Sequence, residues 1–302
     1  MDVPRILNVH IALNKFHDMP ARTPHADGRP AFEVVPYSAA QRQGVDWLAL
    51  MHRQHNVHAL LEVDVTQARR AVREFRARTG EPVSFTAYVV ACLGRAIDGD
   101  RRMHAMRRGR AELVLFDDVD VTVLVETELD DTTIPMPHIV RSANRLTVAE
   151  ITRAIRDAQA GLAPYPAIRR WLPIWLLVPR FIRRMFWTLI LGDPERRKRL
   201  TGTAAVTAVG MFGRGTAWAI PITNFPISLS VGGIARRPTV VRRSGGPALR
   251  EEAIEIRDQL ALTISIDHDL IDGAPAARFA MRLKKLIESG AGVWEKPSAP
   301  HE

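Results

Sequence analysis

The chain has a single cysteine, so no disulfide can form within it. Cys92 lies in the apolar run 85–93, where a thiol is more often a small core side chain than a nucleophile. A lone thiol fits a reducing compartment. The first residues lack the basic segment and long apolar core of a secretory leader, so we expect a cytoplasmic protein.

Long uncharged hydrophobic runs and phosphate-binding glycine loops are also missing. The most apolar stretch, 171–191, is broken by Pro173 and Pro179 and holds three arginines, each costing roughly 2.5–3.5 kcal/mol at a bilayer centre. The glycines of 210–215 lack the spacing of a dinucleotide fingerprint. The sequence therefore argues against a transmembrane helix and against a dinucleotide-binding fold.

Acidic residues are scarce in one segment. The net charge is +9, and residues 161–200 hold nine basic side chains against two acids, a net of +7. The rest of the chain is close to neutral, unlike a protein that coats nucleic acid. No recognition motif accompanies the arginines, so we expect no nucleic-acid partner.

The hydrophobic pattern indicates one large domain with short extensions. Strand and helix patterns alternate irregularly, which favours an α+β fold, a mixed sheet with helices on one face, over a doubly wound sheet. We expect an arm at 1–34, a domain at 35–290 with a helical insertion at 161–200, and a tail at 291–302.

Local signals predict where several elements begin. Thr66 and Ser84 are each expected to cap a helix, and Thr147 followed by Glu150 is a capping-box signature. Strands are predicted at 113–116, 119–127, 134–140 and 260–266, the first two joined by a turn.

Residues 267–273, Asp-His-Asp-Leu-Ile-Asp-Gly, are the most informative stretch because they follow a strand pattern and precede a helix pattern. Histidine is the kind of side chain that changes charge near neutrality without help, and at this position it can take a proton from a thiol or hydroxyl. Asp272 and Gly273 suit a tight turn, with Asp bonding local backbone and Gly accepting a positive φ. On local chemistry alone, a polar strand end explains the stretch equally well.

The surroundings of this motif resemble the catalytic domain of 2-oxo acid dehydrogenase acyltransferases, the E2 components, which are relatives of chloramphenicol acetyltransferase. Residues 202–213, GTAAVTAVGMFG, look like that family's GTFTISNLGMFG. Residues 219–232 look like its AIINPPQ segment, and 57–66, 116–125 and 134–143 look like its earlier strands, in the same order.

The resemblance covers roughly residues 35–160 and 200–290. It implies a chloramphenicol acetyltransferase-like two-layer sandwich that forms homotrimers, with each active site between subunits. It also implies acyl transfer from coenzyme A, present as an acyl-CoA substrate, to a thiol, hydroxyl or amine. We expect no lipoyl attachment domain in this chain, and a trimer rather than a larger cage.

The family's site residues carry over by position. His268 is implied as the general base, and Thr207, at the family's serine position, as the donor to the tetrahedral oxyanion. Asp272, with Gly273, is expected to hold the turn, and Asn224 to support a strand near the site. A purely structural role is the stronger alternative for Asp272 and Asn224, and the weaker one for Thr207.

Three departures from the family pattern bear on the substrate. Thr207 replaces a serine, Ala208 an asparagine, and Asp269 a basic residue. A carboxylate beside His268 would favour the protonated imidazole. These changes question a dihydrolipoamide substrate more than acyl transfer itself. The alternative hypothesis is a non-catalytic E2-like trimeric scaffold that binds a partner or membrane through 161–200.

Residues 161–200 stand where the family has a short connection. Trp175, Phe181 and Trp187 alternate with Arg180 and Arg184, a composition typical of helices at a lipid headgroup boundary. The leading interpretation is a helical hairpin packed on its own domain or on a neighbouring subunit. Contact with an anionic membrane surface or lipid acceptor comes second, and an acyl-chain lid third.

Three histidines spaced by three, His52, His55 and His58, could suggest a metal site. No carboxylate or cysteine completes a ligand set, and on a strand this spacing does not converge. We therefore expect no metal.

Overall fold

The computed structural model describes residues 45, 48, 54–129, 132–160, 175, 177–210, 215–244 and 250–294. The arm predicted at 1–34 lies outside these residues. The strands are β1 (Asn56–Asp64), β2 (Met106–Arg108), β3 (Glu112–Val114), β4 (Val121–Leu129), β5 (Thr132–Val140), β6 (Ala204–Ala208), β7 (Ile227–Ser244) and β8 (Arg250–Asp267). The α-helices are α1 (Thr66–Thr79), α2 (Phe85–Asp98), α3 (Val148–Gln159), α4 (Arg180–Gly192), α5 (Pro194–Thr201) and α6 (Gly273–Ser289).

Six strands form one mixed sheet in the order β1-β8-β7-β6-β4-β5. Strand β6 runs parallel to β4 and β7, whereas the β1–β8, β7–β8 and β4–β5 pairs are antiparallel. A parallel neighbour needs a long crossover, and helices α3 to α5 lie in the connection between β5 and β6. The predicted α+β class, a mixed sheet with helices, is confirmed.

One face of the sheet is apolar and forms the core with helices α1, α2, α3 and α6. Its central row runs through Val123, Val206, Leu229 and Ile264, which are in register on four strands and almost fully buried. Each such side chain stabilises the fold by about 1.5–3 kcal/mol. Helix α6 buries the stripe that its sequence predicts, with Leu283 fully enclosed.

The predicted helix starts hold in two cases of three. The Ser84 hydroxyl accepts from a backbone N–H of α2 at 3.0 Å, and Thr147 and Glu150 form the reciprocal capping box. The prediction for Thr66 is wrong. The residue before it occupies the N-cap, and the Thr66 hydroxyl accepts from a backbone N–H of β8 at 2.9 Å, so β8 takes the group that would have capped α1.

Strands form near the predicted 113–116 and 119–127, but these two strands do not pair with each other. Strand β3 pairs with β2 in a separate two-stranded ribbon. The connecting residues are held elsewhere, because the Val119 N–H donates to Asn144 Oδ1 at 3.0 Å and Arg145 pairs with Asp118. These contacts draw the segment towards the residues after β5 instead of reversing it onto β3.

The packed unit extends past residue 290. Trp294 lies against Phe75 with ring centroids 5.0 Å apart, and Val293 is buried. Within the described ranges, no helix combines the length and the apolarity that spanning a bilayer requires.

Candidate active site

The predicted histidine lies in the turn between β8 and α6, here called the β8–α6 turn (residues 267–272). Two other segments hold its main chain: the Asp267 N–H donates to the Pro226 carbonyl at 3.0 Å, and the His268 N–H donates to the His55 carbonyl at 2.8 Å. The His268 side chain is exposed and makes no hydrogen bond to any other described residue. The backbone is therefore fixed while the ring is accessible.

Asp267, which sequence reasoning did not single out, shapes this turn. Its carboxylate is buried, and Oδ1 accepts from the Asp269 N–H at 3.1 Å, a local Asx-type bond. Burial raises the pKa of Asp267, opposed by that N–H and by Arg197, while the Asp269 charge adds to the rise. The Asp-x-Asp spacing at the end of a strand is the sequence signal that could have identified Asp267.

Asp272 occupies the N-cap of α6, but its exposed side chain makes no capping bond. Gly273 is the first helical residue and its φ is not positive, so that expectation is wrong. The reason is that the N–H groups of Leu270 and Ile271 both bond the Asp267 carbonyl at 3.1 Å. The chain reverses before it reaches the glycine.

Thr207 lies on β6, on the sheet face opposite the core row, and is partly exposed. The register places Ser230 and Thr263 beside it on the next two strands. Both are fully buried, and their hydroxyls find no hydrogen-bond partner among the described residues. Leaving a buried hydroxyl unpaired costs about 1–3 kcal/mol, so stability alone does not explain this polar row.

Asn224 is buried just before β7, in a segment whose carbonyls receive bonds from distant parts of the chain. Asn56 Nδ2 donates to the Thr223 carbonyl at 3.1 Å, and the Arg197 guanidinium donates to the Asn224 carbonyl. The Pro226 carbonyl holds the β8–α6 turn. Arg197 belongs to α5, and its burial lowers its pKa. The segment therefore ties α5 and the edge strand β1 to the turn.

Thr207 and His268 do not meet within one chain. Two strand spacings and five residues along β8 separate them, roughly 20 Å at about 4.8 Å per strand and 3.4 Å per residue. One substrate carbonyl cannot reach both. The two residues can act on one substrate only if they come from different copies of the chain.

The histidines considered as metal ligands are engaged elsewhere. His55 Nδ1 bonds Asp269 Oδ1 at 3.0 Å, and His58 Nδ1 bonds a serine hydroxyl of β8 at 2.8 Å. His52 lies outside the described residues. The Asp269 carboxylate is thus directed at His55, not at the ring of its neighbour His268. In the part of the chain that the structure covers, no three His, Cys, Asp or Glu side chains cluster to hold a metal.

The residues singled out in 161–200 fall into two sets. Trp175 and Trp187 are partly buried and pack with each other and with Phe186, with ring centroids 5.1 to 6.5 Å apart. They do not form an outward surface. Phe181 and Arg184 are exposed on α4. The Arg180 side chain lies outside what the structure describes.

Comparison with known proteins finds a family model that matches part of the chain. Residues 196–293 match the model of 2-oxoacid dehydrogenases acyltransferase (catalytic domain). The lipoamide acyltransferase component of a Bacillus subtilis branched-chain alpha-keto acid dehydrogenase complex is 25% identical over 236 residues, 76% of this chain and 46% of that protein. A dihydrolipoyllysine-residue acetyltransferase component from Acholeplasma laidlawii is 36% identical over 88 residues, 28% of this chain and 14% of that protein. The chain spans about half, or less, of these relatives.

Solved structures with the same fold align with most of the chain. The cubic core of the pyruvate dehydrogenase multienzyme complex aligns with a TM-score of 0.64 at 16% identity, covering 92% of this chain and 100% of that chain. A probable dihydrolipoamide acetyltransferase from Listeria monocytogenes gives 0.61 at 17% identity, covering 89% and 99%. The predicted resemblance to E2 catalytic domains is confirmed. The family match begins at the third residue of α5, inside the predicted insertion.

Proposed function

We propose that this chain is an acyltransferase that moves an acyl group from a coenzyme A thioester to a thiol, hydroxyl or amine. The observation that carries the proposal is the β8–α6 turn, where an accessible histidine sits on a fixed main chain within the stretch that matches the family. The relatives are lipoamide and dihydrolipoyllysine acyltransferases, so a dihydrolipoyl thiol is the first acceptor to try.

His268 acts as the general base. Its imidazole takes the proton of the acceptor as the acceptor's S, O or N atom attacks the thioester carbon. The carbonyl electron pair moves onto oxygen, and its return expels the coenzyme A thiolate, which recovers the proton from the imidazolium. The two backbone bonds that hold the turn limit the motion of His268, which keeps the base in position.

Thr207 donates a hydrogen bond to the oxyanion of the tetrahedral intermediate, a contribution worth about 10²–10³ in rate for a single donor. Because Thr207 and His268 lie far apart in one chain, the site combines His268 of one subunit with Thr207 of the next. A homotrimer with three such sites is the assembly we propose. Coenzyme A is a substrate here, not a resident group.

The direct test compares wild type with His268→Ala, following release of the coenzyme A thiol with dihydrolipoamide as acceptor. We expect turnover to fall at least about 10²-fold. The matched control is His138→Ala on β5, at the opposite edge of the sheet, which should keep wild-type turnover. Unchanged turnover in His268→Ala would remove it as the base. If wild type shows no turnover with any acyl-CoA and acceptor, the result would favour the alternative hypothesis of a non-catalytic scaffold.

Mixed assemblies test whether the site is shared. Thr207→Ala and His268→Ala chains are each expected to be nearly inactive alone. Co-expressed in equal amounts, they should recover about a quarter of wild-type activity, because one site in four then joins an intact His268 to an intact Thr207. Recovery no greater than the two single variants would contradict the shared site.

A further inference from the structure

Helix α4 presents its apolar side to solvent. Phe181, Met185 and Leu189 follow one another at intervals of four, so they form a continuous ridge. Their exposed fractions are 72%, 59% and 64%. Ile182 and Phe186 widen the ridge on one side and are also exposed. This is a broad apolar surface on a helix of 13 residues, about 20 Å long at 1.5 Å per residue.

The inward side of the same helix carries a charge. Arg183 is only 6% exposed, and its Nη1 donates to the Val178 carbonyl at 3.1 Å. Trp187 shares this inward side and joins the aromatic cluster with Trp175. A helix on a water-soluble domain normally buries its apolar stripe and exposes its charges. Among the described residues, α4 has the reverse orientation, with its apolar ridge exposed and Arg183 buried.

The charge around this ridge is mostly positive, since the nearest acids, Asp193 and Glu195, are paired with Arg196 and Arg108. Residues 161–192 contain five arginines and no aspartate or glutamate. Arg184, next to the ridge, is exposed, and Arg196 and Arg199 are exposed on the adjoining helix α5. The complementary surface must therefore be apolar in its interior and anionic at its boundary.

We propose that α4 docks on an anionic phospholipid surface, lying in the headgroup layer with the ridge of Phe181, Met185 and Leu189 among the acyl chains and Arg184 at the phosphates. Exposed apolar residues with flanking arginines are the composition of interfacial helices, and anionic lipid attracts clustered arginines. A second copy of the chain fits less well, since it would bring two arginine-rich, acid-free segments together. The docking does not rest on the proposed acyl transfer.

Co-sedimentation with vesicles tests this on the full chain. Wild type is expected to pellet with vesicles of phosphatidylcholine and phosphatidylglycerol, weakly with phosphatidylcholine alone, and less as salt is raised. The variant Phe181→Ser/Met185→Ser/Leu189→Ser should bind at least tenfold more weakly, and Arg184→Glu should lose part of the binding. These positions are exposed, so the variants should fold, which a thermal melt checks.

Two exposed methionines give a matched pair of single variants. Met185 on α4 and Met281 on α6 have the same exposed fraction, 59%. Met185→Ser should weaken vesicle binding and Met281→Ser should not. Wild type that stays in the supernatant with anionic vesicles would overturn the proposal. So would a triple variant that binds like wild type. A triple variant that changes oligomeric state without lipid would overturn it in favour of a subunit interface.

Discussion

Helices α4 and α6 carry similar apolar stripes and use them in opposite ways. Helix α6 turns its stripe inward, so that Phe279, Leu283 and Ile287 are almost completely buried beneath the sheet. Helix α4 turns its stripe outward and buries Arg183 instead. Periodicity determines that a stripe exists, but the neighbouring elements determine which side of the helix meets water. α6 is fixed by the β8–α6 turn at its start, and α4 by its aromatic cluster and by Arg183.

The largest expected difference compares the same substitution on the two helices. Leu283→Ala on α6 should lower the free energy of unfolding by about 2–5 kcal/mol, because it leaves a cavity in a closed core. Leu189→Ala on α4 removes an exposed side chain and should change it by less than about 0.5 kcal/mol. Urea unfolding of both variants measures the difference. Equal losses would mean that α4 is covered in solution.

A buried histidine makes the free energy of unfolding depend on pH. His104 is fully buried, with Nδ1 2.9 Å from the Thr203 hydroxyl and Nε2 donating to the Phe116 carbonyl. Burial lowers the pKa of His104 to about 4 from 6.5. Since the unfolded chain takes the proton first, stability is present above pH 6.5 and is lost as the pH falls through about 4. The full loss is about 3 kcal/mol at 1.36 kcal/mol per pH unit.

The measurement for His104 is urea unfolding at pH 7 and at pH 4.5. His104→Gln removes the titrating ring and should make the difference between the two pH values smaller than in wild type. Met281→Gln, which changes an exposed side chain that carries no titrating proton, is the control and should leave the difference unchanged. If His104→Gln loses the same free energy of unfolding between pH 7 and pH 4.5 as wild type, other groups cause the loss.

The smallest expected effect is the difference in stability between substitutions at two helix N-caps. Thr147 caps α3 through a complete capping box, so Thr147→Ala should cost about 1 kcal/mol. Asp272 stands at the same position of α6 but makes no cap bond, so Asp272→Ala should cost much less in stability. If Asp272→Ala lowers acyl transfer while leaving the thermal midpoint unchanged, the carboxylate serves the site. An equal drop in stability for both variants would contradict this contrast.

The sequence predicted the elements that local chemistry decides. Ser84 and the Thr147–Glu150 pair cap helices because their partners lie within three residues. The strand pattern before His268 and the helix pattern after it placed this residue correctly at the end of β8. The positive φ expected at Gly273 was wrong because the N–H groups of Leu270 and Ile271 make the bonds that reverse the chain, and the motif does not show which N–H groups do so.

The rest depended on partners distant in sequence. Thr66 does not cap α1 because its hydroxyl accepts from a backbone N–H of β8, almost two hundred residues away. The orientation of α4 follows from what Arg183 and Trp187 contact, which a periodic pattern does not contain. The contacts of Asp267 and Arg197 form only when the fold brings β8, α5 and the segment before β7 together. The distance between Thr207 and His268 also follows from the strand order, which their positions in the sequence do not contain.

The anchoring of α5 makes the segment before it replaceable. Arg197 and Lys198 bond the Asn224 and Asp118 carbonyls, and Arg141 donates to the Lys198 carbonyl, so α5 is held to the domain by bonds in which α4 takes no part. Doubling the length of a flexible loop costs only about 0.6 kcal/mol in closure entropy. A segment as large as α4 can therefore be gained, lost or exchanged at this point at little cost to the domain, so the surface presented here can change while the sheet and the β8–α6 turn stay the same.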